Sequence, residues 1–126
     1  KRFVARQAGA AAQLLFETHL SRAQVDLLSI HSVRTARTET DAALSIVGGE
    51  ADVTFGLRSF ADRYRLGFVP ICVEQFDLLI DRFAYFEPEI QILLRFALSD
   101  EFLAEVDRYA GYDATDLGVI RLNGCL

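Results

Sequence analysis

The hydrophobic pattern of the chain switches between short apolar runs and helical periodicities, and the switches lay out its elements. The opening Arg2-Phe3-Val4-Ala5-Arg6 reads as a short strand, and Gly9 breaks it. Ala10, Ala11, Leu14, Leu15 and Thr18 then recur at helical spacing, which predicts a helix to about Ser21. The stretch VDLLSIHSV reads as an irregular link that ends in a short strand near Ile30 to Val33, with polar loop from Thr35 to Thr38. Thr38 followed three residues later by Asp41 marks a helix start with an acidic first turn. TDAALSIV fills that helix, and Gly48-Gly49 closes it. ADVTFGL is a further strand, and RSFADRYR a short amphipathic helix.

From Phe68 the pattern changes. FVPICVEQFDLLI is a long β-rich stretch interrupted by the polar pair Glu74-Gln75, with Pro70 suited to an edge or a strand start. Pro88 opens a helix whose apolar residues Ile90, Leu93, Leu94, Ala97 and Leu98 fall on one stripe. Ser99 caps the next helix, with Asp100 and Glu101 in its first turn and Phe102, Leu103 and Val106 facing inward. Gly111 ends it, and the remainder reads as loop with one last strand. Strands alternating with helices predict an α/β fold, a mixed sheet flanked by helices.

Length and charge narrow the function classes. The chain has 126 residues, enough for one compact domain or two small lobes with a real core. A net charge of −5 argues against direct nucleic-acid binding by this segment, since phosphate contacts need clustered Lys and Arg. No apolar run approaches the ~20 residues of a membrane span, and no basic-then-apolar leader precedes the first strand. Cys72 sits in an apolar run and Cys125 is penultimate, a pairing that favours free thiols, a reducing compartment and hence the cytoplasm. Neither has a second Cys or His at ligand spacing, so no metal or other cofactor is expected.

Four segments in order, RFVARQAG before a helix, then GGEADVTFGL, LGFVPICVEQFDLLI and GYDATDLG, resemble a periplasmic-binding-protein-like (type II) domain of the molybdate-binding-like kind. Such domains are found fused to helix-turn-helix regulators or to molybdopterin-biosynthesis proteins. The resemblance covers nearly the whole chain and implies a partial form of that fold. On this reading residues 1–67 form a second-lobe-like ligand-binding part. Residues 68–126 supply crossover strands and C-terminal helices that return to an incomplete first lobe. It further implies two lobes closing on a small ligand, commonly an oxyanion held by helix N-termini, in the effector-binding part of a transcriptional regulator or a molybdenum-cofactor protein. The family's turn resembles Arg-x-x-Gly-Ser-Gly-Thr-Arg. This chain keeps Arg6 and Gly9 but carries Ala10, Ala11, Ala12 and Gln13 where hydroxyls and a cation would fall.

The candidate ligand-binding residues follow from these segments. At the first turn, Gly9, Ala10 and Ala11 offer backbone N–H groups and the positive end of a helix dipole, with Gln13 and Arg6 beside them. Against this stands a plain strand–helix turn whose alanines pack under the sheet. At the second helix start, Thr38 offers a hydroxyl and Arg34 and Arg37 add charge. Glu39 and Asp41 repel an anion there, which tilts any ligand toward a neutral or mixed-charge organic molecule. Glu74 at the crossover and Tyr112 near the cleft mouth complete the set.

Enzyme chemistry finds no support: His19 and His31 lack adjacent nucleophiles, and the carboxylates cluster in helix first turns where dipole effects account for them. The resemblance implies a small anion or metabolite as partner. The competing reading is a degenerate domain that serves as a dimerisation or protein-interaction module without ligand. Apolar strands and helix faces after residue 68 also predict a homo-oligomer or an upstream domain fused to this one.

Overall fold

A computed structural model describes residues 1–121. They divide into two units, Lys1–Pro70 and residues 71–121. The first unit holds a three-stranded parallel sheet in the order β2-β1-β3, with β1 at Phe3–Arg6, β2 at Ser32–Ala36 and β3 at Val53–Thr54. Helix α1 (Ala11–Arg22) connects β1 to β2 through a 3-10 turn at Leu27–Ser29, helix α2 (Glu39–Val47) connects β2 to β3, and α3 (Arg58–Arg63) follows β3. Parallel pairing needs such helical crossovers, and all three strands therefore end at the same edge of the sheet.

Alternation along β1 divides its side chains between the two faces of the sheet. Val4 points to α2 and is fully buried with Ala36, Ala42 and Ala51, while Ile46 packs against this group. Three alanines among these let helix and strand approach closely. Phe3 points to the other face, where its ring stacks on Phe16 of α1 at 4.6 Å, and Phe16 in turn meets Phe55 at 5.6 Å. The inward face of α1 therefore differs from the apolar stripe seen in the sequence. Gln13 is buried and Phe16 packs, whereas Leu14, a member of that stripe, is 54 % exposed.

Helix boundaries fall where local chemistry puts them. Thr38 caps α2, its Oγ1 accepting from the Asp41 amide at 3.0 Å, and Gly49 takes a left-handed φ of 74° just past the helix. Strand boundaries move more: β2 begins at Ser32 and takes in Thr35 and Ala36, expected in a loop, because they continue its pairing with Ala5 and Arg6, while of the expected strand ADVTFGL only Val53–Thr54 pairs.

The second unit contains a 3-10 turn at Ala84–Phe86, α4 at Pro88–Ala97 and α5 at Asp100–Val106. Pro88 occupies the first turn of α4, and Ser99 caps α5 by accepting from the Phe102 amide at 3.3 Å. Rings of Phe96 and Phe102 meet edge to face at 5.5 Å. The expected strands at 68–80 are corrected: residues 67–81 carry no regular structure, and Val73 is 99 % exposed. A strand exists only against a neighbour's backbone, and none among the described residues pairs with this stretch, so its alternation stays unused. No described residue from 71 onward is buried. No strand forms over residues 112–121, where most of the stretch expected to hold a last strand lies, and Cys125 lies outside the described residues.

Candidate functional site at the carboxyl ends of the strands

The candidate residues of the first unit converge at the edge where β1, β2 and β3 end, the edge at which open α/β sheets bind their ligands. Arg6, the last residue of β1, organises it. Along β1 the amides of Phe3 and Gln7 donate to His31 and Ala36 on the β2 side, at 2.9 and 3.1 Å. Arg2 and Val4 turn their carbonyls to the β3 side, toward the Val53 amide and the Thr54 hydroxyl. The Arg6 amide faces the same side as Arg2 and Val4, but β3 has already ended at Thr54. The Oε1 of Gln13 takes the place of the absent strand carbonyl and accepts from Arg6 N at 2.9 Å, while Gln13 Nε2 donates to Glu17 at 2.8 Å. Gln13 is thus a ligand-site candidate whose side chain is already committed to joining α1 to the sheet.

Between β1 and α1 the chain turns through residues 7–10, closed by the Ala10 amide donating to the Gln7 carbonyl at 3.1 Å. Gly9 sits in this turn at φ 82°, a value that strains any side chain. Ala10 precedes the helix without capping it through its side chain. The first intrahelical donor is Leu14, bonded to the Ala10 carbonyl at 3.0 Å. The amides of Ala11, Ala12 and Gln13 therefore have no acceptor among the described residues, and they carry the positive end of the helix dipole.

At the second helix start Thr38 spends its oxygen on capping, and the Arg37 amide donates to Asp41 Oδ2 at 3.1 Å. The amides of Glu39 and Thr40 have no acceptor among the described residues. Here parallel topology creates a contact that sequence order hides. Glu39, first residue of α2, meets Arg6: its Oε1 forms an ion pair with Arg6 Nη1. Both side chains are sheltered, at 9 % exposure for Arg6 and 22 % for Glu39. Nη1 is buried, and the Glu39 carboxylate is its partner. The rest of the guanidinium turns to the end of β2, with Nε donating to the Ala36 carbonyl at 3.4 Å and Nη2 to the Arg37 carbonyl at 3.2 Å. Glu39 Oε2 lies beside Gly56, after β3, 3.3 Å from where a Cβ would stand. A single carboxylate thus touches the ends of β1 and β3 from the start of α2. Gly56 was not among the residues the sequence put forward, and only the folded connectivity brings it there.

Arg34 and Arg37, expected as added charge, separate. Arg34 is fully engaged: Nη2 donates to Asp41 Oδ1 at 2.6 Å, and Nη1 to Ser45 Oγ and to Glu50 Oε2 at 3.0 and 2.9 Å. The Arg37 guanidinium has no partner among the described residues and is the free cation beside α2. Elsewhere in the unit, hydrogen bonds from the side chain and amide of Arg2 hold the Asp52 carboxyl down at about 2. A cavity of about 550 Å³ lies on the α1 face of the sheet, lined by Phe3, Ala5, Gln13 and residues 27–32. It is mainly apolar, and Gln13, whose amide is already bonded, separates it in chemistry from the strand ends.

Glu74 and Tyr112 belong to the second unit. Glu74 lies exposed in the irregular stretch 67–81, and Tyr112 meets Tyr109 edge to face at 6.4 Å. Cys72 is a free, exposed thiol. No helix among the described residues is long and apolar enough to cross a membrane.

Three parallel strands ending at one edge, with the uncapped start of α1 and the acidic start of α2 beside them, define a lobe of the α/β ligand-binding class. The family comparison agrees with the geometry: residues 1–98 match the model of a PBP superfamily domain, and the chain belongs to that periplasmic-binding-protein-like family, whose domains bind ligands rather than catalyse. Comparison with curated proteins and with solved structures gives no significant match.

Proposed function

We propose that the strand-end edge of the Lys1–Pro70 unit is a binding site for a small polar molecule, and that the chain serves as the effector-binding part of a regulator or a molybdenum-cofactor protein. The observation that carries this reading is the trio of unbonded amides at Ala11, Ala12 and Gln13, set on the same edge as the sheltered Arg6–Glu39 pair. Such amides hold an acceptor oxygen of a ligand at no cost in side-chain ordering. Gly9 and the alanines after it leave the backbone open to close approach. Thr38, whose oxygen accepts from Asp41, keeps its hydroxyl hydrogen to donate.

A thermal-shift screen tests the reading, with molybdate, tungstate, sulfate, phosphate and a panel of small metabolites. A ligand present at about a hundred times its Kd stabilises the protein by about 2.7 kcal/mol, which a melting curve resolves. Loss of the shift in Gly9→Val, which blocks the turn, ties the ligand to this edge. No shift across the panel refutes the reading.

The second reading, an interaction module, is favoured by the exposed apolar residues after Pro70: Ile71, Val73, Phe76 and Leu79 all lie open, and nothing described from 71 onward is buried. It predicts a dimer in size-exclusion chromatography with light scattering. A clean 14.1 kDa monomer excludes it.

A further inference from the structure

We propose that the cavity on the α1 face of the sheet is a second binding site, independent of the strand ends, and that it takes a small aromatic molecule carrying one hydroxyl or N–H group. The cavity measures about 550 Å³ and lies wholly within the Lys1–Pro70 unit. Small-molecule sites commonly occupy about 300–1,000 Å³, and about 150 Å³ holds a single benzene ring. Packed interiors leave few voids larger than a water, so a hollow of this size against a sheet needs a cause.

The cause lies in β1 and in the walls. Phe3 and Ala5 alternate onto the same face of the sheet. Phe3 is 6 % exposed and is fixed by its stacking on Phe16, with 15° between the ring planes. Phe16 itself does not line the cavity, so Phe3 presents to it the part of its ring that Phe16 leaves free, a surface suited to another ring. Ala5 brings only a methyl group, which leaves the floor low where a larger side chain would fill it. One wall is Gln13, held by its bonds to the Arg6 amide and to Glu17. Another is the 3-10 turn Leu27–Ser29, whose shape is set without a ligand. There Asp26 Oδ1 accepts from the Leu28 amide at 2.9 Å, and the Asp26 carbonyl accepts from the Ser29 amide and hydroxyl at 2.9 and 2.6 Å. Walls already held in place lose little freedom when a guest enters. Leu27 and Leu28 line the cavity at 44 % and 90 % exposure, apolar surface that a bound ring would take from water.

One polar side chain of the lining is free to choose a partner. Gln13 is committed, Ser29 donates to Asp26, and Ser32 Oγ donates to the Arg34 carbonyl at 3.4 Å. The imidazole of His31 has no partner among the described residues. A neutral imidazole donates from one nitrogen and accepts at the other, so it meets a hydroxyl in either sense and accepts from an N–H. No described Lys or Arg lines the cavity, so an oxyanion finds no fixed counter-charge there.

A ¹H–¹⁵N NMR titration of the full chain with indole and p-cresol, and with toluene as the probe lacking a polar group, tests the proposal. Indole and p-cresol are expected to bind at submillimolar concentration and to shift the amides of Ala5 and of residues 27–32, leaving those of Arg37, Thr38 and Glu39 in place. His31→Ala is expected to weaken both by about threefold to tenfold, the loss of one hydrogen bond, and to leave toluene unchanged. Ala5→Leu, which fills the floor, is expected to weaken all three at least about tenfold. If circular dichroism shows that Ala5→Leu fails to fold, Ser32→Leu replaces it; if neither folds, the wild-type shifts and His31→Ala decide. No shift at millimolar probe, shifts confined to residues 37–39, binding that a folded filling variant leaves intact, or p-cresol affinity that His31→Ala leaves unchanged would each overturn the proposal. So would shifts at residues 27–32 that follow protein concentration without any probe, since a second copy of the chain would then be the occupant.

Discussion

Replacing Gln13 by leucine tests the account of how α1 is fastened to the sheet. The substitution keeps the length of the side chain to within an atom but removes the oxygen that accepts from the Arg6 amide at 2.9 Å. That amide faces the side where β3 has ended, so no strand carbonyl replaces the lost acceptor. Leaving a sheltered donor without a partner costs about 1–3 kcal/mol. The second bond of Gln13, to Glu17, adds less, because that carboxylate regains water. Leucine recovers part of the cost by burying apolar surface at a position only 7 % exposed, which brings the net expectation to about 1–2 kcal/mol. Hydrogen exchange followed by NMR reads this locally. Protection of the Arg6 amide is expected to fall by about 5- to 30-fold, the equivalent of that free energy. The Phe3 amide, bonded to the His31 carbonyl at 2.9 Å, serves as the internal reference and is expected to change less. Equal loss at both amides would mean that Gln13 acts only through global stability. Unchanged protection at Arg6 would refute the claim that a side chain completes the strand.

Three further outcomes are expected. Thr38→Ala removes the cap of α2 and is expected to lower stability by about 1 kcal/mol in urea unfolding, while Thr38→Ser, which keeps the oxygen, stays within a few tenths. Gly49→Ala places a side chain at φ 74° in open space, so only backbone strain opposes it; a loss of about 1 kcal/mol is expected, smaller for Gly49→Asn. The Asp52 carboxyl is lowered from 3.8 to about 2 by its hydrogen bonds from Arg2, so its stabilising contribution is complete above about pH 4 and is lost as the pH falls toward 2. Acid titration of the melting temperature should show that fall, and Asp52→Asn should flatten it.

Features whose cause lies within a few residues were legible in the sequence. Thr38 with Asp41, Pro88, Ser99, and the glycines at 9 and 49 act on their own neighbours, and the structure puts each where local chemistry asked. The apolar stripe of α1 misled because Gln13 turned inward for a reason set by the length of β3, forty residues away in the chain. Strands at 68–80 were expected from β-branched and aromatic content, yet a strand is a relation between two backbones and composition names only one of them. Arg6 and Glu39 were both candidates, each imagined against a ligand. What the sequence could not display was that adjacent parallel strands bring them against one another.

Arg34 carries a consequence of its own. From the middle of β2 its two nitrogens reach Asp41 in the first turn of α2, Ser45 in the last turn and Glu50 beyond it. The helix is therefore braced along its full length to one strand, and it cannot roll or slide without breaking three bonds together. A guest arriving at Thr38 and Glu39 would meet a wall that folding has already stiffened, so its affinity there should follow the fit of its own atoms with little lost to ordering the host.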